Sequence, residues 1–150
     1  MDKLKILFVC VENSCRSQIA EGFAKNYGVG KIEAFSAGSK PSGIVNPNAV
    51  EVMKEIGVDI SRQASKGFES LPYRAFDYVV TMGCEKVCPY FPSKEQIDWQ
   101  IEDPKGKPLE VFKKVRDEIG SRVEELVDRI IKYPKRRCKN AKCIYRRAED

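Results

Sequence analysis

The 150-residue sequence contains no histidine. Zinc sites that combine cysteine with histidine are therefore excluded. It also lacks any run of about 18 apolar residues, the length a membrane-spanning helix needs. The opening Met1-Asp2-Lys3-Leu4-Lys5 has none of the apolar core of a secretory signal, so the expected setting is the cytosol. Six cysteines in a cytosolic chain point away from a structural disulfide framework and towards redox or metal chemistry.

What is present is ordinary for a soluble globular protein: 42% hydrophobic and 33% charged residues. The length predicts one domain, large enough to bury roughly two-thirds of the surface its unfolded chain exposes. The net charge of +5 is local. Residues 134–150 (PKRRCKNAKCIYRRAED) carry seven of the 27 Lys/Arg and two of the 22 Asp/Glu, which leaves 20 of each in residues 1–133. The reading is a neutral domain, 1–133, followed by a basic tail, 134–150. Such a tail suits nucleic acid or an anionic surface. The plainer reading is a solvated chain end, and no nucleic-acid or membrane partner is expected.

The cysteines fall into three pairs: Cys10 and Cys15, Cys84 and Cys88, Cys138 and Cys143. Their spacings are C-x4-C, C-x3-C and C-x4-C, not the C-x2-C hooks usual for structural zinc. A zinc site built from the last four would depart from that pattern, and no metal or other cofactor is expected.

Hydrophobic periodicity outlines an α/β chain. Lys5–Val9 (KILFV) reads as a short buried strand. From Ser17, the apolar positions Ile19, Ala20, Phe23 and Ala24 recur at helical spacing to about Tyr27, and Gly28 offers a stop. Lys31–Ser36 reads as a second strand. Asn46-Pro47 opens a helix with a capping side chain and a proline at its first position; Val50, Met53, Lys54 and Ile56 carry it to Gly57. Phe76–Met82 is a third, buried strand that leads to Cys84, and the segment 83–95 is expected to be a short helix or loop. Ile97–Ile101 is expected as a fourth strand and Asp103-Pro104-Lys105-Gly106 as a turn. A long helix, Leu109–Ile131, carries Val111, Val115, Ile119, Val123, Leu126, Val127 and Ile130 on one face. The predicted fold is a single three-layer α/β/α domain with a four-stranded parallel sheet, whose ligand site lies beyond the carboxyl ends of the strands.

That edge begins with Cys10-Val11-Glu12-Asn13-Ser14-Cys15-Arg16-Ser17. A loop that leaves a strand and enters a helix aims successive backbone N–H groups at one point, and the helix N-terminus adds partial positive charge. This is a cradle for a tetrahedral oxyanion. Arg16 can clamp two of its oxygens. The same field favours the thiolate of Cys10, to which Ser17 can offer a hydroxyl hydrogen bond. A thiolate at the floor of such a cradle is a nucleophile aimed at the anion's central atom. Expelling a leaving oxygen is easier with an acid nearby. Asp103 could serve, its pKa raised by burial or by the anion.

Cys10–Arg16, continued by Ser17-Gln18-Ile19-Ala20-Glu21-Gly22, resembles the signature loop of the low-molecular-weight phosphotyrosine phosphatase superfamily. It is more similar to the thioredoxin-coupled arsenate reductases of that fold, because those phosphatases generally have proline at the position of Gln18. The resemblance extends through Ser36-Ala37-Gly38, Asn46-Pro47, Asp59-Ile60-Ser61, Val79-Val80-Thr81, Cys88-Pro89, Trp99, Asp103-Pro104 and Val115-Arg116-Asp117-Glu118-Ile119, covering residues 4–131.

The resemblance implies a three-thiol relay. Cys10 forms an adduct with arsenate, the cysteine matched by Cys84 attacks Cys10 and releases arsenite, and the one matched by Cys88 resolves the disulfide. Thioredoxin or another thiol reductant then restores the pair. It also implies Asp103 as general acid, with phosphate or sulfate able to occupy the loop in place of arsenate. Two departures stand out. The spacing of three residues between Cys84 and Cys88 is shorter than in the best-known members, and some relatives draw a thiol from a small molecule instead. Some members also bind potassium beside the loop; Asn13, Glu21 and Ser36 match its ligands, but Lys66 replaces a carboxylate, so no potassium dependence is expected. The alternatives are a phosphatase working through a Cys10 phosphocysteine and a non-enzymatic oxyanion or metalloid sensor. In the phosphatases an aromatic residue commonly follows Asp-Pro, where this chain has Lys105. Cys15 is read as structural or as an off-pathway partner of Cys10, Cys138 and Cys143 as incidental, and the chain as a monomer.

Overall fold

The computed structural model describes residues 3–83 and 91–132. Four strands form one parallel sheet in the order β2-β1-β3-β4. They are β1 (Leu4–Cys10), β2 (Ile32–Gly38), β3 (Phe76–Thr81) and β4 (Ser93–Asp98). Three helices accompany them: α1 (Arg16–Tyr27), α2 (Pro47–Glu55) and α3 (Leu109–Lys132), with one 3-10 turn at Phe68–Ser70. The predicted class and parallel sheet are those observed.

The central position of β1 follows from its composition. Ile6, Leu7, Phe8, Val9 and Cys10 are all buried, a run apolar on both faces that only an interior strand of a covered sheet can satisfy. Ile6, Phe8 and Cys10 join the larger core with residues of α1, α2 and α3, whereas Leu7 and Val9 join a smaller one with Leu71, Phe76, Val79 and Phe91. Among the described residues the three α-helices therefore share one core. The opposite face is covered by the 3-10 turn and by aromatic residues stacked edge to face, including Phe35, Phe76 and Phe91. Phe8, Ile6 and Leu7 are fully buried, each contributing about 1.5–3 kcal/mol relative to exposure.

Helix α1 buries every residue from Arg16 to Ala24, because it runs between the sheet and α3. At Gly120 of α3 an added Cβ would come within 2.8 Å of the Phe23 ring, so a glycine is what lets the two helices meet there. Helix α2 begins as expected, with Asn46 Oδ1 accepting the Asn48 N–H at 2.8 Å and Pro47 at the first turn. Its buried stripe is Ala49, Val52 and Met53, while Ile56 is largely exposed. In α3 the expected face is observed with Phe112 added at its start, and Val111 is only partly buried.

The fourth strand lies earlier than expected, at Ser93–Asp98 rather than Ile97–Ile101. It is an edge strand, polar because one margin faces solvent. Its buried Glu95 is neutralised by Arg129 of α3 through two contacts of 3.2 and 3.3 Å. The apolar Trp99 and Ile101 that suggested a strand instead follow it and join the larger core, Trp99 with its ring 6.2 Å from that of Phe8.

Sheet order reverses beside β1: β1 pairs with β2 on one side and β3 on the other. The Met82 N–H donates to the Val9 carbonyl at 2.7 Å, so the carboxyl ends of β1 and β3 lie side by side. A crevice at such a reversal is where open parallel sheets bind ligands.

Candidate active site

The loop from Cys10 to Arg16 is shaped from outside. The Val11 carbonyl accepts the Lys40 N–H at 2.8 Å, the Glu12 carbonyl accepts the Ser42 N–H at 3.0 Å and the Ser65 hydroxyl at 3.0 Å, and the Ser14 carbonyl accepts the Asn46 N–H at 3.0 Å. The Asn13 carbonyl accepts from Gln18 Nε2 at 3.0 Å. None of these donors lines the hollow bounded by Cys10, Glu12, Ser14, Cys15, Arg16, Asp103 and Lys105. Across a trans peptide the C=O and the next N–H point in opposite directions. Four carbonyls drawn outwards therefore turn the N–H groups of Glu12, Asn13, Ser14 and Cys15 towards the hollow.

Asn13 is the hinge of this arrangement, with φ of 51°, the one non-glycine positive φ among the described residues. Asparagine tolerates that conformation better than most side chains, and here its side chain is held on both ends. Oδ1 accepts from Gln18 Nε2 at 2.9 Å and from the Lys66 N–H at 2.8 Å, which orients the amide; Nδ2 then donates to Ser17 Oγ at 2.7 Å. Ser17 Oγ lies 2.9 Å from Cys10 Sγ. With Asn13 donating to the oxygen, the hydroxyl proton is available to the sulfur.

Gln18 is fully buried. Nε2 also donates to the Ala64 carbonyl at 2.9 Å, and Oε1 accepts from Gln63 Nε2 at 2.8 Å. A proline here would supply none of these bonds. Residue type alone distinguishes Gln18, but its role as the brace of Asn13, and the participation of Gln63, were not legible in the sequence.

Arg16 is buried. Nη1 donates to the Ile101 carbonyl at 3.1 Å and Nη2 lies 3.6 Å from Asp103 Oδ2. Gly83, at φ of 83°, adjoins it; an added Cβ would fall 2.4 Å from Nη1. Glycine is required there twice, by backbone conformation and by space. Asp103 is half-exposed, at 51% of its side chain, which corrects the expectation that burial acts on its carboxyl. The turn beside it forms one residue later than expected, over Pro104–Lys107, the Lys107 N–H donating to the Pro104 carbonyl at 2.9 Å. Lys105 reaches back across the hollow, with Nζ 2.8 Å from both carboxylate oxygens of Glu12. The innermost space of the hollow is about 10 Å³, room for about one water molecule.

Cys10 and Cys15 are buried and free. Burial pushes the Cys15 thiol up to about 12; Ser14, whose Oγ is 3.9 Å away, opposes this only in part. Beside the loop, Ser36 Oγ donates to Glu21, which also binds Lys25 Nζ at 2.6 Å. Lys66 Nζ donates to the Ala64 carbonyl at 2.9 Å. Burial draws its pKa down, and the Glu21 carboxylate works against that. Among the described residues no group of three or more acidic or cysteine side chains is placed to hold a metal. Cys84 and Cys88, Cys138 and Cys143, and the basic tail lie outside the described residues.

The comparisons with known proteins converge on this architecture. The family model of low molecular weight phosphotyrosine protein phosphatase matches residues 5–136. A glutaredoxin arsenate reductase of Synechocystis is 46% identical over 129 residues, covering 84% of this chain and 98% of the relative. A solved arsenate reductase in the phosphate binding state superposes with a TM-score of 0.76 at 44% identity, covering 85% and 98% of the two chains. The thioredoxin-dependent arsenate reductase of Corynebacterium glutamicum gives 0.72 at 35% identity, over 86% of this chain and 62% of that one. The chain belongs to the low molecular weight phosphotyrosine protein phosphatase family, on the branch whose members carry the name arsenate reductase.

Proposed function

We propose that this protein reduces arsenate to arsenite through Cys10, Cys84 and Cys88, in a reducing cytosol and as a monomer. The observation that carries the reading is the hollow: inward N–H groups, Arg16 at its wall and the Cys10–Ser17 contact at its base. The nucleophile is the thiolate of Cys10. It displaces one oxygen of arsenate, forming an S–As bond, and Asp103 protonates the departing oxygen, which leaves as water.

The Cys84 thiolate then attacks Cys10 Sγ. The electron pair of the S–As bond leaves with arsenic, which becomes arsenite, and a Cys10–Cys84 disulfide remains. Cys88 attacks Cys84, releasing Cys10 and leaving a Cys84–Cys88 disulfide. Two thiols of an external reductant reopen it, so one arsenate consumes one dithiol. The chain itself supports this order of events. Strand β3 ends at Thr81; Gly83, two residues on, adjoins Arg16, and Cys84 is the next residue in sequence.

The relatives divide on the reductant, one named for glutaredoxin and one for thioredoxin. The test is an NADPH-coupled assay with arsenate, run once with thioredoxin and its reductase and once with glutaredoxin, glutathione and its reductase. Wild type is expected to oxidise NADPH, and Cys10→Ser, Cys84→Ser and Cys88→Ser to lose the activity. Full activity of the Cys84 and Cys88 variants with thioredoxin would refute the relay. Rapid cleavage of an aryl phosphate with no arsenate turnover would favour the phosphatase reading, which the family match supports.

A further inference from the structure

We propose that Lys105 is a positioning residue for oxyanion entry, cancelling the carboxylate of Glu12 at the rim of the hollow. This rests on the reading that the hollow binds an oxyanion, and it adds a residue to that site. The motivation is a charge count. Around the hollow stand Arg16, Asp103, Glu12 and Lys105. Arg16 is offset by Asp103 at 3.6 Å. Glu12, one of the residues whose N–H groups form the cradle, would leave the rim net negative against an incoming dianion. Lys105 offsets that carboxylate, with Nζ at 2.8 Å from both Glu12 oxygens.

The contact is built into the backbone on each side. Lys105 is fixed in its turn by its N–H, which donates to Asp103 Oδ1 at 3.1 Å. Glu12 is fixed by the two bonds to its carbonyl from Ser42 and Ser65. The ammonium's pKa is raised, chiefly by its hydrogen bond to Glu12 and then by that carboxylate's charge. The side chains are 53% and 33% exposed, and exposed ion pairs contribute little to stability. Their field, by contrast, acts on whatever enters a hollow less than one residue away. Glu12 and Lys105 both line the hollow, so an anion seated there lies beside the ammonium and the carboxylate together.

The test is calorimetric binding of inorganic phosphate at low ionic strength to wild type, Lys105→Met, Glu12→Gln and the double variant. Lys105→Met should weaken binding by about tenfold, the effect of one uncompensated carboxylate on a nearby dianion, and high salt should shrink the loss. Glu12→Gln should bind as wild type or tighter. The double variant should return to within about threefold of wild type, and steady-state arsenate kinetics should show the Lys105→Met defect in KM rather than kcat. Wild-type binding by Lys105→Met, or a double variant as weak as Lys105→Met, would overturn the proposal while leaving the relay intact. If wild type binds no phosphate and turns over no arsenate, both readings fall together. Melting temperatures of the four proteins should agree closely, which separates the electrostatic role from a folding defect.

Discussion

Cys10 and Cys15 occupy one loop, both buried, both near Arg16 and the start of α1. Helix N-termini and arginines favour thiolates, yet the two thiols meet different surroundings. Cys10 has the hydroxyl of Ser17 at 2.9 Å, itself held by Asn13. Cys15, although it flanks the first residue of the helix, has only a distant contact with Ser14, and burial pushes it up to about 12. The difference teaches that a helix N-terminus does not activate a thiol by proximity. What separates the two sites, both equally buried, is the close hydroxyl that Ser17 supplies to Cys10, where Cys15 has only the longer contact with Ser14.

The bluntest way to break this comparison is to exchange the roles by mutation. Cys10→Ser should lower arsenate turnover by about 10³-fold or more, whereas Cys15→Ala should stay within about threefold. Comparable losses at both positions would mean that Cys15 takes part in the chemistry.

The second probe is alkaline pH. The Cys15 thiol titrates near 9 when unfolded and at about 12 in the fold. Between these values the unfolded chain has released a proton that the folded chain retains. The contribution of this group is therefore complete below about pH 9 and is lost as pH rises towards 12, on the order of a few kcal/mol. Denaturant melts from pH 8 to 11 should show a shallower decline for Cys15→Ala than for wild type; parallel slopes would show that the thiol is not desolvated as described.

Gln18→Leu tests whether the brace behind Asn13 maintains the difference. It leaves the Asn13 carbonyl without its donor and takes one of two partners from the Ala64 carbonyl and the Gln63 amide, at a cost of about 2 kcal/mol, measurable as a lower denaturant midpoint together with lost activity. Ser17→Ala is gentler. It should slow alkylation of Cys10 by iodoacetamide near neutral pH by about tenfold, the worth of one hydrogen bond to a charged sulfur. An unchanged rate would remove Ser17 from the account of Cys10.

The strand, loop and helix around Cys10 were legible because they are contiguous: an apolar run, a polar loop, then helical spacing. The helix start at Asn46-Pro47 was legible for the same local reason. What escaped was set by partners distant in sequence. Strand β4 was placed too late because Glu95 is made apolar in effect by Arg129 of α3, a pairing no window of sequence contains. Phe112 was missed beside the more regular valines of its helix. Gln63 and the Glu12–Lys105 bridge join residues 45 and 93 positions apart. Gly83 did carry a signal, a glycine closing a buried strand, but its reason is the Arg16 guanidinium that fills the space a side chain would need.

The carbonyls of Val11, Glu12 and Ser14 are tied down by residues 40, 42, 46 and 65, which has a consequence for the order of assembly. Strand β1 and helix α1 can gather early from nearby sequence, but the cradle between them acquires its shape only after the connection from β2 to β3 has folded back over it. Catalytic competence then follows the local pairing of β1 with α1, as contacts between remote segments generally form more slowly than neighbouring ones. A peptide of residues 1–30 would contain the whole signature and bind nothing.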